Sequence, residues 1–326
     1  MELLRIVAML LVMVTHSCFL AFGVPSQGDA TLNPAYTLTL FGFQSLSCIC
    51  VNLFVAISGW FGIRINLNKV LKLIGQVLFF SLLIWGVLTW LFPENYFNWD
   101  SASTILMLNG VDYWFVKAYI GLMLLSPLIN AFLEKCNERQ LICFLVSFYT
   151  FQTVYGWLSI DGASWMEGGY SAFSFIGLYM LARYLHMYPL RQKGKLLLAV
   201  FVAITVGQAL LAYLVTRMGI PVAGRLFTYT NPLVIIQTMS LLLLFSRLSF
   251  HSRMINWVGS SCLAVYLLHA NELVLRPYYG KFVHQLYTEN GATGFFAKLV
   301  LFLMIVFLTA VLLEKTRLAA VKVFTR

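Results

Sequence analysis

Charge is what this chain has least of. Only 10% of its 326 residues are Asp, Glu, Lys or Arg, where a soluble domain has about a quarter. Its 60% of hydrophobic residues exceed what a soluble fold of this size can bury, because folded surface falls only slowly relative to chain mass. Mean hydropathy is +0.83. So apolar a chain is not disordered, since disorder requires low hydrophobicity and high charge. Strands of about ten residues with alternating polarity, the mark of an outer-membrane barrel, are missing as well. The six cysteines form no C-x-x-C pair and lie mostly within apolar runs. They read as small buried hydrophobes rather than a disulfide scaffold. Acidic residues number 12 against 22 basic ones. The excess is scattered through short loops, which fits the positive-inside rule and not a nucleic-acid partner. No H-E-x-x-H, G-x-S-x-G, phosphate loop or dinucleotide fingerprint occurs. The five histidines are too dispersed to nominate a metal site.

What the chain does have is continuous apolar runs of about twenty residues, the length of a helix that crosses a bilayer. The expected fold is all-α and polytopic, with about ten spans at roughly 3–23, 38–60, 73–92, 113–133, 141–158, 170–187, 196–216, 229–247, 257–275 and 294–314. The first run lacks a small-residue cleavage site and carries Arg5 and His16, so it reads as a retained span. With the N-terminus inside, the cytoplasmic loops hold Arg64, Lys69, Lys72, Lys135, Arg139, Arg191, Lys193, Lys195, Arg247 and Arg253. The tail adds Lys315, Arg317, Lys322 and Arg326, while Asp29, Glu94, Asp100, Asp161, Glu167 and Glu289 collect opposite. That asymmetry predicts both termini in the cytoplasm.

Ionisable groups inside a span are costly and are functional candidates. Arg5 and His16 are eleven residues apart, three helical turns plus about 20°, and so share one face about 16 Å apart along the axis. A snorkelling arginine and a hydrogen-bonded interior histidine would also explain them singly; their common face favours one site. The second span ends in Phe54-Val-Ala-Ile-Ser58-Gly59, which permits close backbone approach and leaves a hydroxyl. Arg64, Lys69 and Lys72 follow it, a basic cluster suited to lipid headgroups or a phosphate-bearing cofactor. Trp114, Lys117 and Tyr119 open the fourth span, and Tyr266 and His269 lie three apart on one face of the ninth.

Together these features resemble the acyltransferase-3 family of integral-membrane O-acyltransferases. The resemblance rests on R-x10-H (Arg5 to His16), F-x-x-x-S-G (Phe54 to Ser58-Gly59) and S-x-x-x-x-Y-L-x-H (Ser261, Tyr266, His269), in the family's order. The Trp114-Phe115 to Leu125-Ser126-Pro127 stretch adds to it. Where the family often has R-x-x-R, this chain has Lys69-Val-Leu-Lys72; where an acid often precedes the Leu-Phe pair, it has Asn52.

The resemblance implies one transmembrane acyltransferase unit over 1–326, without the extracytoplasmic SGNH domain of some relatives, in a bacterial inner membrane. It implies transfer of an acyl group, by default acetyl, from cytoplasmic acetyl-CoA or another acyl-CoA to a hydroxyl. The acceptor would be a cell-surface glycan or lipid-linked sugar. On this reading Arg5 with Lys69, Lys72 and Arg64 holds the cofactor's phosphates, and the pantetheine arm follows the first helix to His16. Neutral His16 acts as general base, an acyl-histidine route being the other option. Ser58, Trp114, Lys117, Tyr119, Tyr266 and His269 line the tunnel or orient His16. A flippase for a polyprenyl-linked sugar, or a glycan polymerase, shares the polytopic helices and interior polar groups, but neither consumes a thioester.

Overall fold

The computed structural model describes residues 1–109, 112–159, 165–249 and 251–324. Asp161, Arg326 and the side chain of Glu167, counted above for orientation, lie outside the described residues.

Regular structure in these residues is helical throughout. In chain order the long elements are α1 (Glu2–Phe22), α2 (Pro34–Phe61), α3 (Leu67–Leu91), α4 (Trp114–Lys135) and α5 (Glu138–Leu158). They continue as α6 (Ala172–Met187), α7 (Gly194–Arg217), α8 (Ala223–Ser246), the bent pair α9 (Arg253–His269 and Glu272–Gly291) and α10 (Gly294–Val323). Among the described residues eight helices are long and apolar enough to cross a membrane, nine if the bent pair is one span. The expected span that falls short is the sixth, 170–187: α6 has only 16 residues, against the roughly twenty that a crossing needs. Ser171 begins it as an N-cap, its hydroxyl accepting from the Ser174 backbone N–H, which removes the polar residues that lengthened the apolar run.

Local chemistry sets the other boundaries. Ser26 and Asp29 form a capping box before a short outer helix, and those hydrogen bonds hold the Asp29 carboxylate below its usual range. Asn137 and Gln140 make the same box at the start of α5. Pro34 opens α2, where a missing N–H costs nothing. Gly62 ends α2 at φ +79°, a conformation that side chains with a Cβ rarely take.

Several spans break along their length, α8 among them at 228–231, between Ala223–Phe227 and Pro232–Ser246. The first helical stretch of α1 ends at His16 and resumes at Phe19. α2 is interrupted at Cys48–Ile49, and α9 bends by 57° after His269. Irregular backbone at membrane depth survives only where protein or a water-filled cavity surrounds it. These breaks lie in such surroundings, for α1 packs on the second half of α2 and on the first limb of α9. α2 is the interior helix, with 78% of its window buried, enclosed by α1, α6, α7 and α8.

Candidate active site

α1 presents Arg5, Met9 and Val12 to a cavity of about 270 Å³. These positions follow one helical stripe, and His16 is the next position on it, four residues and about 6 Å beyond Val12. The expected common face of Arg5 and His16 is therefore a wall with the arginine at one end. Ser58, Tyr119 and Tyr266 supply hydroxyl-bearing side chains to the same cavity from α2, α4 and α9. The Ser58 hydroxyl donates to the Phe54 carbonyl at 3.0 Å and accepts from Tyr119 at 2.9 Å. Leu73 of α3 also lines it. Lys69 lies one turn before Leu73 on the same face, and Lys72 is adjacent; both are exposed. Arg64 is exposed in the α2–α3 connection. Of these cations Arg5 alone lines the cavity, while Lys69 and Lys72 flank Leu73 in its wall.

Beyond the other end stands a pair of imidazoles. His16 Nδ1 and His269 Nε2 are 3.1 Å apart, and His269 Nδ1 is 2.5 Å from the Val265 carbonyl one turn back in its own helix. A carbonyl only accepts, so His269 carries its proton on Nδ1. The neutral ring then has a lone pair on Nε2, which accepts from His16 Nδ1–H. His16 Nε2 is left as an unprotonated acceptor. Its ring remains half-buried, whereas His269 is 1% exposed. No carboxylate is hydrogen-bonded to either ring among the described residues; each of the two histidines has the other as its side-chain partner.

A second cavity, about 460 Å³, lies on the far side of this pair. His269 forms part of its wall, with Tyr279, Lys281, Gln285 and Phe302 from the second limb of α9 and from α10. Tyr266 faces the first cavity and His269 the second, their rings perpendicular at 6.4 Å. The helix breaks just after His269. Asn271 caps the second limb through Leu273 N–H and donates to the Tyr113 hydroxyl, which donates to the Leu267 carbonyl. The interrupted backbone is therefore pinned.

The acyltransferase-3 family model, described as an acyltransferase domain, matches residues 1–315. The chain belongs to that family. No curated protein and no solved structure gives a significant match. It is a multi-pass membrane acyltransferase by family and by its apolar helices.

In this acyltransferase two expected site residues stand apart from the passage. Trp114 packs into an aromatic cluster, stacking on Tyr229 at 5.9 Å and lying against Tyr170 at 4.4 Å and buried Phe175 at 6.4 Å, while its neighbour Phe115 lines the cavity. Lys117 donates to the Asn109 carbonyl at 2.6 Å in the preceding loop. There it faces Asp112, whose carboxyl is raised by burial against the opposing pull of Asn109 and Lys117. Residues that sequence reasoning passed over include the Val265 carbonyl, which no side-chain pattern could reveal, and Tyr279 and Lys281 in the second cavity.

The passage is lined mainly by apolar side chains. Ser261 Oγ is buried without a protein partner between two lining residues, Ser260 and Cys262.

Proposed function

We propose that this acyltransferase moves an acyl group, by default acetyl, from acyl-CoA to a hydroxyl of a cell-surface glycan or lipid-linked sugar, with His16 as general base. The observation that carries the reading is the His16–His269 pair standing between two cavities. Arg5 and Tyr266 line one, and His269 lines the other.

Arg5, Lys69 and Lys72 bind the donor's phosphates through charge-assisted hydrogen bonds. When bound, acyl-CoA supplies an activated thioester. Ser58, Tyr119 and Tyr266 line its arm, and the donor's carbonyl is placed beside His16. The acceptor hydroxyl comes from the His269 side. His269 holds the His16 ring in the tautomer with Nε2 unprotonated. That nitrogen removes the hydroxyl proton as the oxygen–carbon bond forms, and returns it to the departing thiolate as the carbon–sulfur bond breaks. Positive charge on His16 during the transfer is favoured by the carbonyl end of its own helix, which stops at this residue. In the orientation that the charge asymmetry predicts, with both termini in the cytoplasm, the Arg5 mouth faces the side where acyl-CoA is available.

The test is thiol release from acetyl-CoA by purified, reconstituted protein with a cell-envelope glycan extract, wild type beside His16→Ala. Release should require both the extract and His16. Wild-type release by folded His16→Ala would overturn the base assignment. Absence of release with acetyl-CoA and with succinyl-CoA would overturn the donor assignment.

A further inference from the structure

The last helix also brings positive charge to the cavity that Arg5 lines, through Lys315 on Ser260, and the neighbouring arginines are neutralised internally. Arg5 pairs with Glu2. Glu2 is lodged against Gly259, where a Cβ would come within 2.7 Å of its carboxylate oxygen. In α10, Arg317 pairs with Glu314 through two bonds of 2.8 and 2.7 Å. Lys315 lies between these two ion pairs and has neutral partners only. Its ammonium donates to Ser260 Oγ at 2.9 Å and sits 4.8 Å from the centre of the Trp257 ring. Ser260 and Gly259 line the cavity that Arg5 lines. No carboxylate lies within ion-pair distance of Lys315 among the described residues.

An ammonium has three donors and no acceptor. The hydroxyl takes one donor and the indole face attracts the charge. The lysine is thus held at the rim with donor capacity remaining. A phosphate arriving there meets a full positive charge without displacing a carboxylate, whereas at Arg5 it must compete with Glu2. We infer that Lys315, positioned by Ser260 and Trp257, contacts a phosphate of the acyl-CoA donor at the cavity mouth. The inference rests on the acyl-CoA reading above and adds to it a residue from the last helix, outside the motifs that mark the family. A lipid headgroup phosphate has the same chemistry, and the experiment separates the two sources.

The wild type, Lys315→Met and Lys315→Arg are reconstituted in discs of neutral phosphatidylcholine and in discs containing phosphatidylglycerol. KM and kcat are measured by thiol release with acetyl-CoA and with acetyl-pantetheine, which has no phosphate. Lys315→Met should raise KM for acetyl-CoA about tenfold, the size of one charge-assisted hydrogen bond, in both kinds of disc. Its kcat/KM for acetyl-pantetheine should move less than twofold, and Lys315→Arg should restore most of the loss. Equal effects on both donors, or none on either, overturn the assignment. An effect confined to phosphatidylglycerol discs also overturns it and makes Lys315 a lipid contact. A wild type that uses the two donors equally well, or neither, defeats the acyl-CoA phosphate reading itself, a result distinguishable from failure at Lys315 alone.

Discussion

His269 does for His16 what a carboxylate does in many acid–base pairs: it fixes which ring nitrogen holds the proton. The Val265 carbonyl sets His269, and His269 sets His16. His269→Ala removes the acceptor for His16 Nδ1–H and frees the ring to rotate or change tautomer. We expect kcat to fall about 100-fold, within the usual range for a positioned acid–base group, with KM for acetyl-CoA little changed. His269→Gln, whose amide oxygen also accepts, should keep more of the rate. A His269→Ala enzyme with wild-type kcat would remove His269 from this role. The pattern Tyr266-Leu-Leu-His269 was visible along the chain, as was the R-x10-H spacing. That the two histidines touch was not, because 253 positions separate them and helix periodicity relates only residues on the same helix.

At the scale of elements, the F-x-x-x-S-G ending of α2 has two separate tasks. Ser58 faces α4 through Tyr119, and Gly59 lets α6 approach. A Cβ at Gly59 would lie 2.3 Å from the Tyr179 carbonyl oxygen, an obstacle of backbone that no rotamer can relieve. The same junction is tied by Tyr179, which donates to Asn130 at 2.7 Å and accepts from the Ile63 backbone at 2.8 Å. Gly59→Ala should therefore destabilise the folded protein toward the upper end of the ~1–3 kcal/mol that overpacking costs. The measurement is loss of monodisperse protein on heating in detergent. Gly86→Ala in α3, with nothing within 4 Å of its Cβ, should behave as wild type; equal losses for both variants would dismiss the close-approach account.

The middle of α2 is held differently. Ser45 donates to the Thr205 carbonyl, and Gln237 donates to the Ser45 carbonyl and to Thr205 Oγ1, so α2, α7 and α8 are joined by polar side chains inside an apolar bundle. The small residues of α2 were legible as a packing surface. Their partners were not, since α6, α7 and α8 follow more than a hundred residues later.

The whole molecule works, on our reading, because donor and acceptor approach one histidine pair from two sides. α3 has 25 residues and spans roughly 37 Å at helical rise, so its two ends belong to opposite surfaces. Cysteine introduced at exposed Glu94 should react with a membrane-impermeant maleimide on intact cells stripped of outer wall. Cysteine at exposed Lys69 should react only after permeabilisation. The reverse pattern would invert the topology and place the Arg5 mouth away from cytoplasmic acyl-CoA.

Composition and hydropathy determined that the chain is helical and membrane-embedded, because burial of apolar surface and pairing of every backbone group leave few other structures for such a sequence. The motifs determined the family and nominated Arg5, Ser58, Tyr266 and His16, since these depend on spacing along single helices. Tertiary structure alone decided that α9 breaks at His269, that His16 and His269 are hydrogen-bonded, and that Phe115 rather than Trp114 or Lys117 lines the passage. Each of these depends on which distant helix fills the adjoining space, and contacts between helices in a bilayer are set by packing and interhelical hydrogen bonds that local periodicity does not encode.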